Sequence, residues 1–330
     1  MLNVKDIGEQ GLLRKLQAFC PTDVVGDDGA ILQLKRDRKL VVTTDVLVDN
    51  VHFSDRTTSA FDVGWRGAAA NLSDLAAMGA TPIGITVGLS LPGETPVSWV
   101  EELYRGLDSC LRKYQSAIVG GDITRSEVIT IAITALGEVS PGQEIRRSAA
   151  QVGDAIAITG YHGLSRAGLE LLLHPELGQN LTPVEQKILM KAHQQPQPRL
   201  NVLSILSELG ENIRVAGMDS SDGLGDAIAQ ICHCSEVGAV IDCNALPIHP
   251  ALSNFVMPSQ AEDWIFYGGE DFELVLCLPE NLAISLVEQL GNGANIIGEI
   301  TSEPEIVMNN PRNADLKSLS VLRAGFQHFN

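Results

Sequence analysis

The sequence predicts an α+β chain of two domains, and three observations carry that prediction. Its 330 residues exceed what a single core holds comfortably. Strand-length and helix-length apolar runs mix without strict β-α-β order, which argues against a doubly wound sheet. A stretch of glycine, proline and charge at 141–153 interrupts the pattern near mid-chain. The expected domains are residues 1–140 and 150–330.

In the first half, residues 39–46 read as a buried strand, Leu40, Val41 and Val42 preceding the polar Thr43-Thr44-Asp45. Residues 60–78 form an alanine-rich helix stopped by Gly79 and Pro82. Residues 83–91 alternate apolar with small or polar residues, a half-buried strand. A helix at 97–114, a short strand at 117–119 running into Gly120-Gly121-Asp122, and a strand at 128–137 complete the half. The second half predicts strands at 155–159, 237–242, 273–278 and 294–300. Helices are expected at 165–173, 183–192, 202–209, 224–234 and 282–290. The polar, proline-bearing segment 174–199 reads as a lid or as plain surface.

Composition narrows the function. Forty-one acidic residues against 23 basic ones give a net charge of −18, which repels nucleic acid and anionic membrane. Residues 1–16 mix charge with apolar residues, so no signal peptide is read, and no apolar run approaches the ~20 residues of a membrane span. The expected location is the cytoplasm. Six cysteines lack paired CxxC spacing; Cys232-His233-Cys234 with Cys243 reads as free thiols of a reducing compartment rather than as zinc ligands.

No P-loop and no protein-kinase signature is present. Six acidic motifs stand instead: Gly26-Asp27-Asp28-Gly29, Thr43-Thr44-Asp45, Asn71-Leu72-Ser73-Asp74, Gly120-Gly121-Asp122, Asp219-Ser220-Ser221-Asp222-Gly223 and Gly268-Gly269-Glu270-Asp271. One such motif alone is a turn. Six beside apolar strands and helices point to hard oxygen ligands for Mg²⁺, with glycine letting backbone approach a ligand. Asp74 lies on an otherwise apolar helix, where a carboxylate needs a metal or a base such as Arg66. Two unit charges 4 Å apart repel by about 4 kcal/mol at an effective dielectric near 20, so aspartates and a triphosphate share a site only with cations between them. More than one Mg²⁺ is therefore expected. Arg147 reads as a phosphate contact or as a solvated linker arginine.

In this order the motifs resemble the thiamine-monophosphate kinases of the PurM-like ATP-binding superfamily. The resemblance spans nearly the whole chain and rests most specifically on residues 71–80, NLSDLAAMGA, and 268–274, GGEDFEL. It implies a two-domain PurM-like fold, ATP as phosphoryl donor, thiamine monophosphate as acceptor, and a homodimer that pairs through the N-terminal sheets. It implies Asp28, Thr43, Thr44, Asp45, Asp74, Asp122, Asp219 and Asp222 as Mg²⁺ ligands, some through water. Tyr104, Gly121, Asp122, Arg147 and Ser221 are the implied ATP contacts; His52, Glu270 and Phe326 face thiamine monophosphate.

Three positions depart from the family pattern. Gly29 stands where alanine or cysteine is common, Phe326 where tyrosine or tryptophan is frequent, and Ser220 where leucine is frequent. The expected chemistry is direct in-line transfer, since a phosphate acceptor is already anionic and needs positioning rather than a strong base. No general base is nominated; Asp45, Asp74, Asp122 and Asp219 carry the rate by placing metals. A second reading keeps the superfamily but makes the chain another ATP-dependent synthetase. Cys20 lies in no glycine-rich stretch and the chain ends His328-Phe329-Asn330 rather than in a reactive cysteine, which disfavours two such relatives. A third reading, a non-catalytic nucleotide sensor, would bind ATP without turnover.

Overall fold

A computed structural model describes residues 2–22, 24–25, 29–210, 213–309 and 317–318. Internal contacts divide the chain into one unit of Met1–Leu75 with Ala80–Ser140, and a second of Ala76–Gly79 with Pro141–Asn330.

The first unit is built from α1 (Val4–Leu16), β1 (Lys39–Val48), α2 (Ala60–Ala77), β2 (Thr81–Leu91), α3 (Val97–Lys113), β3 (Ile118–Arg125) and β4 (Thr130–Val139). Its four strands form one sheet in the order β1-β4-β2-β3. Only β2 and β3 run parallel; the other pairs are antiparallel, in keeping with the α+β class. Ile85, Val87 and Leu89 of β2 and Ile131 and Ile133 of β4 turn to the covered face and are buried, as are Leu72, Leu75, Leu103 and Leu107 of the helices. Two glycines let α2 and α3 touch backbone to backbone. A Cβ at Gly64 would lie 1.9 Å from the Leu103 carbonyl, and one at Gly106 1.9 Å from that of Phe61. The helix α2 ends where glycine predicted, with Gly79 at φ 74.

The opposite face of this sheet is open in the chain. Leu40, Val42 and Val46 alternate along β1 at 51%, 55% and 46% exposure, so β1 is half-buried rather than the buried strand expected. A second correction concerns Gly120-Gly121-Asp122. These residues do not follow a short strand but lie inside β3, which continues to Arg125. Glycine's weak strand preference ended the sequence reading too early.

The second unit holds β5 (Asp154–Ile158), α4 (Leu164–Leu173), α5 (Pro183–Gln194), α6 (Asn201–Leu209), β6 (Ala216–Asp219), α7 (Leu224–Ser235) and β7 (Gly238–Asp242). It continues through α8 (Pro250–Phe255), α9 (Pro258–Tyr267), β8 (Leu274–Pro279), α10 (Glu280–Leu290), β9 (Asn295–Thr301), β10 (Ile306–Asn309) and β11 (Lys317–Ser318). Its seven strands order as β11-β10-β7-β9-β5-β8-β6. Both faces are covered, so the central strands lack the polar alternation of a one-sided sheet. Ile156, Ile158, Val275 and Cys277 pack on one side with residues of α4, α7, α8 and α9. Ala155, Ala157, Leu274, Leu276 and Leu278 pack on the other with α6 and α10. Within the segment 174–199, α5 lies so close to α4 that a Cβ at Gly168 would meet the Leu189 carbonyl at 2.0 Å.

Candidate functional site

In the first unit, strand alternation sorts the acidic motif of β1. Thr43 and Asp45 pair with Ala135 and Ile133, buried residues of β4, and so face the covered side. Thr44 pairs with Thr134 and bonds to it hydroxyl to hydroxyl at 2.9 Å, on the open side. The Thr43 hydroxyl donates to the Asp74 carboxylate on α2. Asp74 is half-buried, less enclosed than its apolar neighbours suggested, and Thr43 is one of its partners.

On β3 the register sets Gly121 in the row of Val87, Ile133 and Asp45, and Asp122 in the adjoining row of Gly88, Ala132 and Val46. Gly121 is required by packing as well as by any ligand, since a Cβ there would lie 2.3 Å from the Val87 carbonyl. Gly121, Asp122 and Tyr104 line one cavity of about 370 Å³, together with Thr86 and residues of α1. Tyr104 is buried, which pushes its hydroxyl far above the ordinary range, so it is a neutral ring with a donor. His52 sits on the turn after β1, where its Nδ1 accepts from the Val48 N–H at 3.1 Å. The proton of the neutral ring is then on Nε2.

In the second unit β6 pairs with β8, and Asp219 stands opposite Leu274. That pairing sets the loop after β6 against the loop before β8, joining two motifs far apart in sequence. Asp219 is 4% exposed, and its Oδ1 accepts from the Ser221 hydroxyl at 3.0 Å. The Glu270 N–H donates to the Ser221 carbonyl at 2.7 Å. Asp222 is exposed at the start of α7, after which Gly223 takes φ 111 against the Phe266 carbonyl. Arg147 lies along α7, its Nη1 donating to Gln230 Oε1 at 2.5 Å, and Gln230 in turn donates to Asp226 at 2.5 Å. The linker reading of Arg147 is thus incomplete: the side chain is exposed but directed.

The 268–273 loop is backbone-strained. Glu270 and Phe272 hold φ 58 and 53, left-handed values that non-glycine residues avoid, and such outliers cluster at ligand sites. Its three acids have different settings. Glu270 is half-exposed, with Oε2 3.7 Å from Nδ1 of the buried His193. Asp271 accepts from the Gly163 and Ser165 N–H groups, at 2.7 and 2.8 Å, at the N-terminus of α4. Glu273 is clamped by Arg199 and takes the Thr159 hydroxyl at 2.6 Å. His162, Thr159, His193 and Arg199 were not nominated from sequence; a buried histidine or arginine carries no local signal of its partner.

Two buried groups here titrate in opposite senses. Burial pushes the Asp271 carboxyl up to about 7 despite its two N–H partners. Burial pushes His162 down to about 4. Between about pH 4 and 7 the folded chain holds the Asp271 proton that the unfolded chain has lost, so this group makes stability fall as pH rises. Between about 4 and 6.5 the unfolded chain holds the His162 proton and the folded chain does not, so stability from this group is full above 6.5 and lost as pH falls. Urea unfolding of Asp271→Asn should show stability rising more steeply with pH over 4–6.5 than in the unaltered chain, and His162→Gln the reverse, by at most about 1.4 kcal/mol per pH unit each. Slopes identical to the unaltered chain would refute both assignments.

Among the described residues no three His, Cys, Asp or Glu side chains are gathered for one ion. Asp28 and Phe326 lie outside the described residues. The donor chemistry nevertheless fits Mg²⁺: carboxylates with hydroxyls against them, Thr43 on Asp74 and Ser221 on Asp219, are hard oxygen sets. The cysteines are free thiols; Cys232 is buried, its thiol pushed up to about 11 by burial, while Cys234 is exposed. No helix among the described residues is long and apolar enough to cross a membrane.

Residues 26–139 match the AIR synthase related protein N-terminal domain, and 151–309 the corresponding C-terminal domain. The chain is 51% identical to the thiamine-monophosphate kinase of Synechococcus elongatus, across 99% of this chain and 98% of that one. It superposes on the crystal structure of thiamine-monophosphate kinase from Stenotrophomonas maltophilia K279a with a TM-score of 0.80 and 33% identity, covering 90% of this chain and 95% of that one. Against AaThiL complexed with AMPPCP and TMP the TM-score is 0.74 at 29% identity, covering 100% and 99%. The chain belongs to the AIR synthase related family and, within it, to the thiamine-monophosphate kinases.

Proposed function

We propose that this chain transfers the γ-phosphoryl group of ATP to the phosphate of thiamine monophosphate, yielding thiamine diphosphate and ADP, the last step in making that cofactor. The observation that carries this is likeness over the whole chain to a thiamine-monophosphate kinase, 51% identical across 99% of this chain. An acceptor phosphate oxygen attacks the γ-phosphorus, and the bond to the β–γ bridging oxygen breaks, its electron pair leaving with ADP. The acceptor is already anionic, so no side chain need remove a proton. What the chain supplies is placement and charge compensation.

Thr43, Asp45 and Asp74 on the covered side of the sheet, with Asp28, and Thr44 and Asp122 in the open-side rows, are the proposed Mg²⁺ ligands of the first domain, residues 1–140. Asp219 and Asp222 are those of the second, residues 150–330. When bound, Mg²⁺ neutralises phosphate oxygens and the charge that grows on them during transfer. The Thr43 hydroxyl fixes which way the Asp74 carboxylate points. The cavity lined by Tyr104, Gly121 and Asp122 has the volume of a nucleotide pocket and takes part of ATP. Ser221 and Arg147 bind phosphate, Arg147 held ready by Gln230. His52 and Glu270 recognise thiamine monophosphate, with Phe326 stacking on its ring.

The open face of the first sheet, with Leu40, Val42 and Val46, supports a homodimer in which a second copy covers those residues. The acidic surface and the absence of a long apolar helix among the described residues accord with a cytoplasmic enzyme. The deciding assay is incubation of the purified chain with ATP, Mg²⁺ and thiamine monophosphate. Thiamine diphosphate and ADP should appear in equal amounts. Product formed only from free thiamine would overturn the acceptor, and ATP bound without turnover would favour a sensor.

A further inference from the structure

One residue inside the acidic loop of the second unit takes no part in the proposed chemistry. Ser220 stands between Asp219 and Ser221 and is 1% exposed. Its backbone N–H donates to the Glu273 carbonyl at 2.8 Å, and its hydroxyl donates to the same carbonyl at 3.1 Å. Its second partner is Nε2 of His162, 3.0 Å from the hydroxyl oxygen. A serine hydroxyl has one hydrogen. With that hydrogen on the Glu273 carbonyl the oxygen accepts from Nε2 of His162, and with the imidazole proton on Nδ1 the hydroxyl donates to Nε2 instead, so the contact holds in either tautomer.

His162 is 1% exposed and remains neutral, for burial disfavours its charged form. It precedes Gly163, whose N–H holds Asp271. A buried hydrogen-bond chain thus runs from His162 through Ser220 to Glu273, the last residue of the loop before β8. On the far side of Ser221 the Glu270 N–H closes the loop at 2.7 Å. Ser220 is pinned by both its main chain and its side chain, and the residues on either side of it are Asp219 and Ser221, themselves in contact at 3.0 Å.

We propose that His162 and Ser220 are a positioning pair that orients Asp219 and Ser221 for the Mg²⁺-nucleotide. The pair touches neither substrate; it fixes the peptides that carry the groups that do. A side chain without a hydroxyl at this place would leave the loop to packing alone, whereas Ser220 holds it by direction. The inference rests on the phosphoryl-transfer reading above.

The test uses the full chain with His162→Leu, Ser220→Ala, both together, and His162→Gln, measuring kinetics in ATP and in thiamine monophosphate beside thermal unfolding. Each of the first two should lower kcat/KM for ATP roughly 10-fold, the scale of groups that orient ligating residues, while the KM for thiamine monophosphate moves less than about twofold. The double variant should regain melting temperature, because no polar partner is left unpaired, yet regain no activity. His162→Gln offers a neutral N–H and should restore most of kcat/KM. Unchanged kcat/KM in Ser220→Ala overturns the pair, as does a double variant whose activity recovers with its melting temperature. Should His162→Leu fail to fold, Ser220→Ala and His162→Gln still decide. An unaltered chain that makes no thiamine diphosphate refutes the activity reading instead, and calorimetry of Mg²⁺·ADP binding by the same variants then judges the pair: roughly 10-fold weaker binding supports it, equal binding ends it.

Discussion

Replacing Asp74 by asparagine should reduce kcat by at least about 10²- to 10³-fold, the scale of a lost charge-stabilising group, while the chain stays folded. The two halves of this expectation have separate causes. Asparagine keeps the shape of aspartate and an oxygen that accepts from the Thr43 hydroxyl, so the link between α2 and β1 survives. What is lost is the negative charge and with it the affinity of a hard oxygen for Mg²⁺. Turnover measured across a Mg²⁺ titration should therefore show a raised requirement for the ion, with a melting temperature near that of the unaltered chain. Thr43→Val removes the donor instead and should show a milder loss, because the charge remains and only its direction is released. Near-normal turnover in Asp74→Asn would show that this carboxylate is not a ligand, and would remove the strongest member of the first unit's set.

Asp74 also shows what the sequence makes legible. A carboxylate within Leu72–Ala77 announces itself by contrast with its neighbours, and so do glycine-flanked aspartates beside apolar runs. Local pattern likewise gave α2 and α3 almost to the residue and the left-handed stop at Gly79. Three kinds of feature escaped it. The helix α1 carries Gly8 at φ 65 and Gly11, which dilute its apolar period below recognition. The strand β3 runs through two glycines that read as a turn, and the error matters, because alternation within a strand sends Gly121 and Asp122 to opposite sides. The third is adjacency. Nothing local to Asp219 states that β6 will lie beside β8, yet that pairing joins the two acidic loops of the second unit. The buried His162 and the half-buried Arg199 are invisible for the same reason: burial is a property of the assembled sheet.

Arg199→Ala should be the most destabilising of the substitutions considered, costing about 3–5 kcal/mol in urea unfolding. Arg199 donates through Nε and Nη2 to both oxygens of Glu273, with Nε to Oε2 at 2.6 Å. Glu273 is 5% exposed and also receives the Thr159 hydroxyl, which itself accepts from the Leu274 N–H at 2.8 Å. The bidentate fit needs Gly160, where a Cβ would lie 2.6 Å from Glu273 Oε1 and 2.7 Å from Arg199 Nη2. Removing arginine leaves the buried Glu273 carboxylate without its counter-charge. Glu273→Gln removes the charge while keeping an acceptor for Thr159, and its cost should be smaller, about 1–3 kcal/mol. Arg199→Lys should fall between, since a single ammonium cannot reproduce the forked geometry. The discriminating measurement is the pair Arg199→Met with Glu273→Gln. If the loss in Arg199→Ala comes from the stranded charge, removing both charges must recover much of it. If the double variant is as unstable as Arg199→Ala, the arginine acts through packing of its stem, and the ion pair is incidental to holding the loop. Activity adds the functional half: Glu273 carries the carbonyl to which Ser220 is pinned, so a loosened clamp should impair ATP use even in molecules that remain folded.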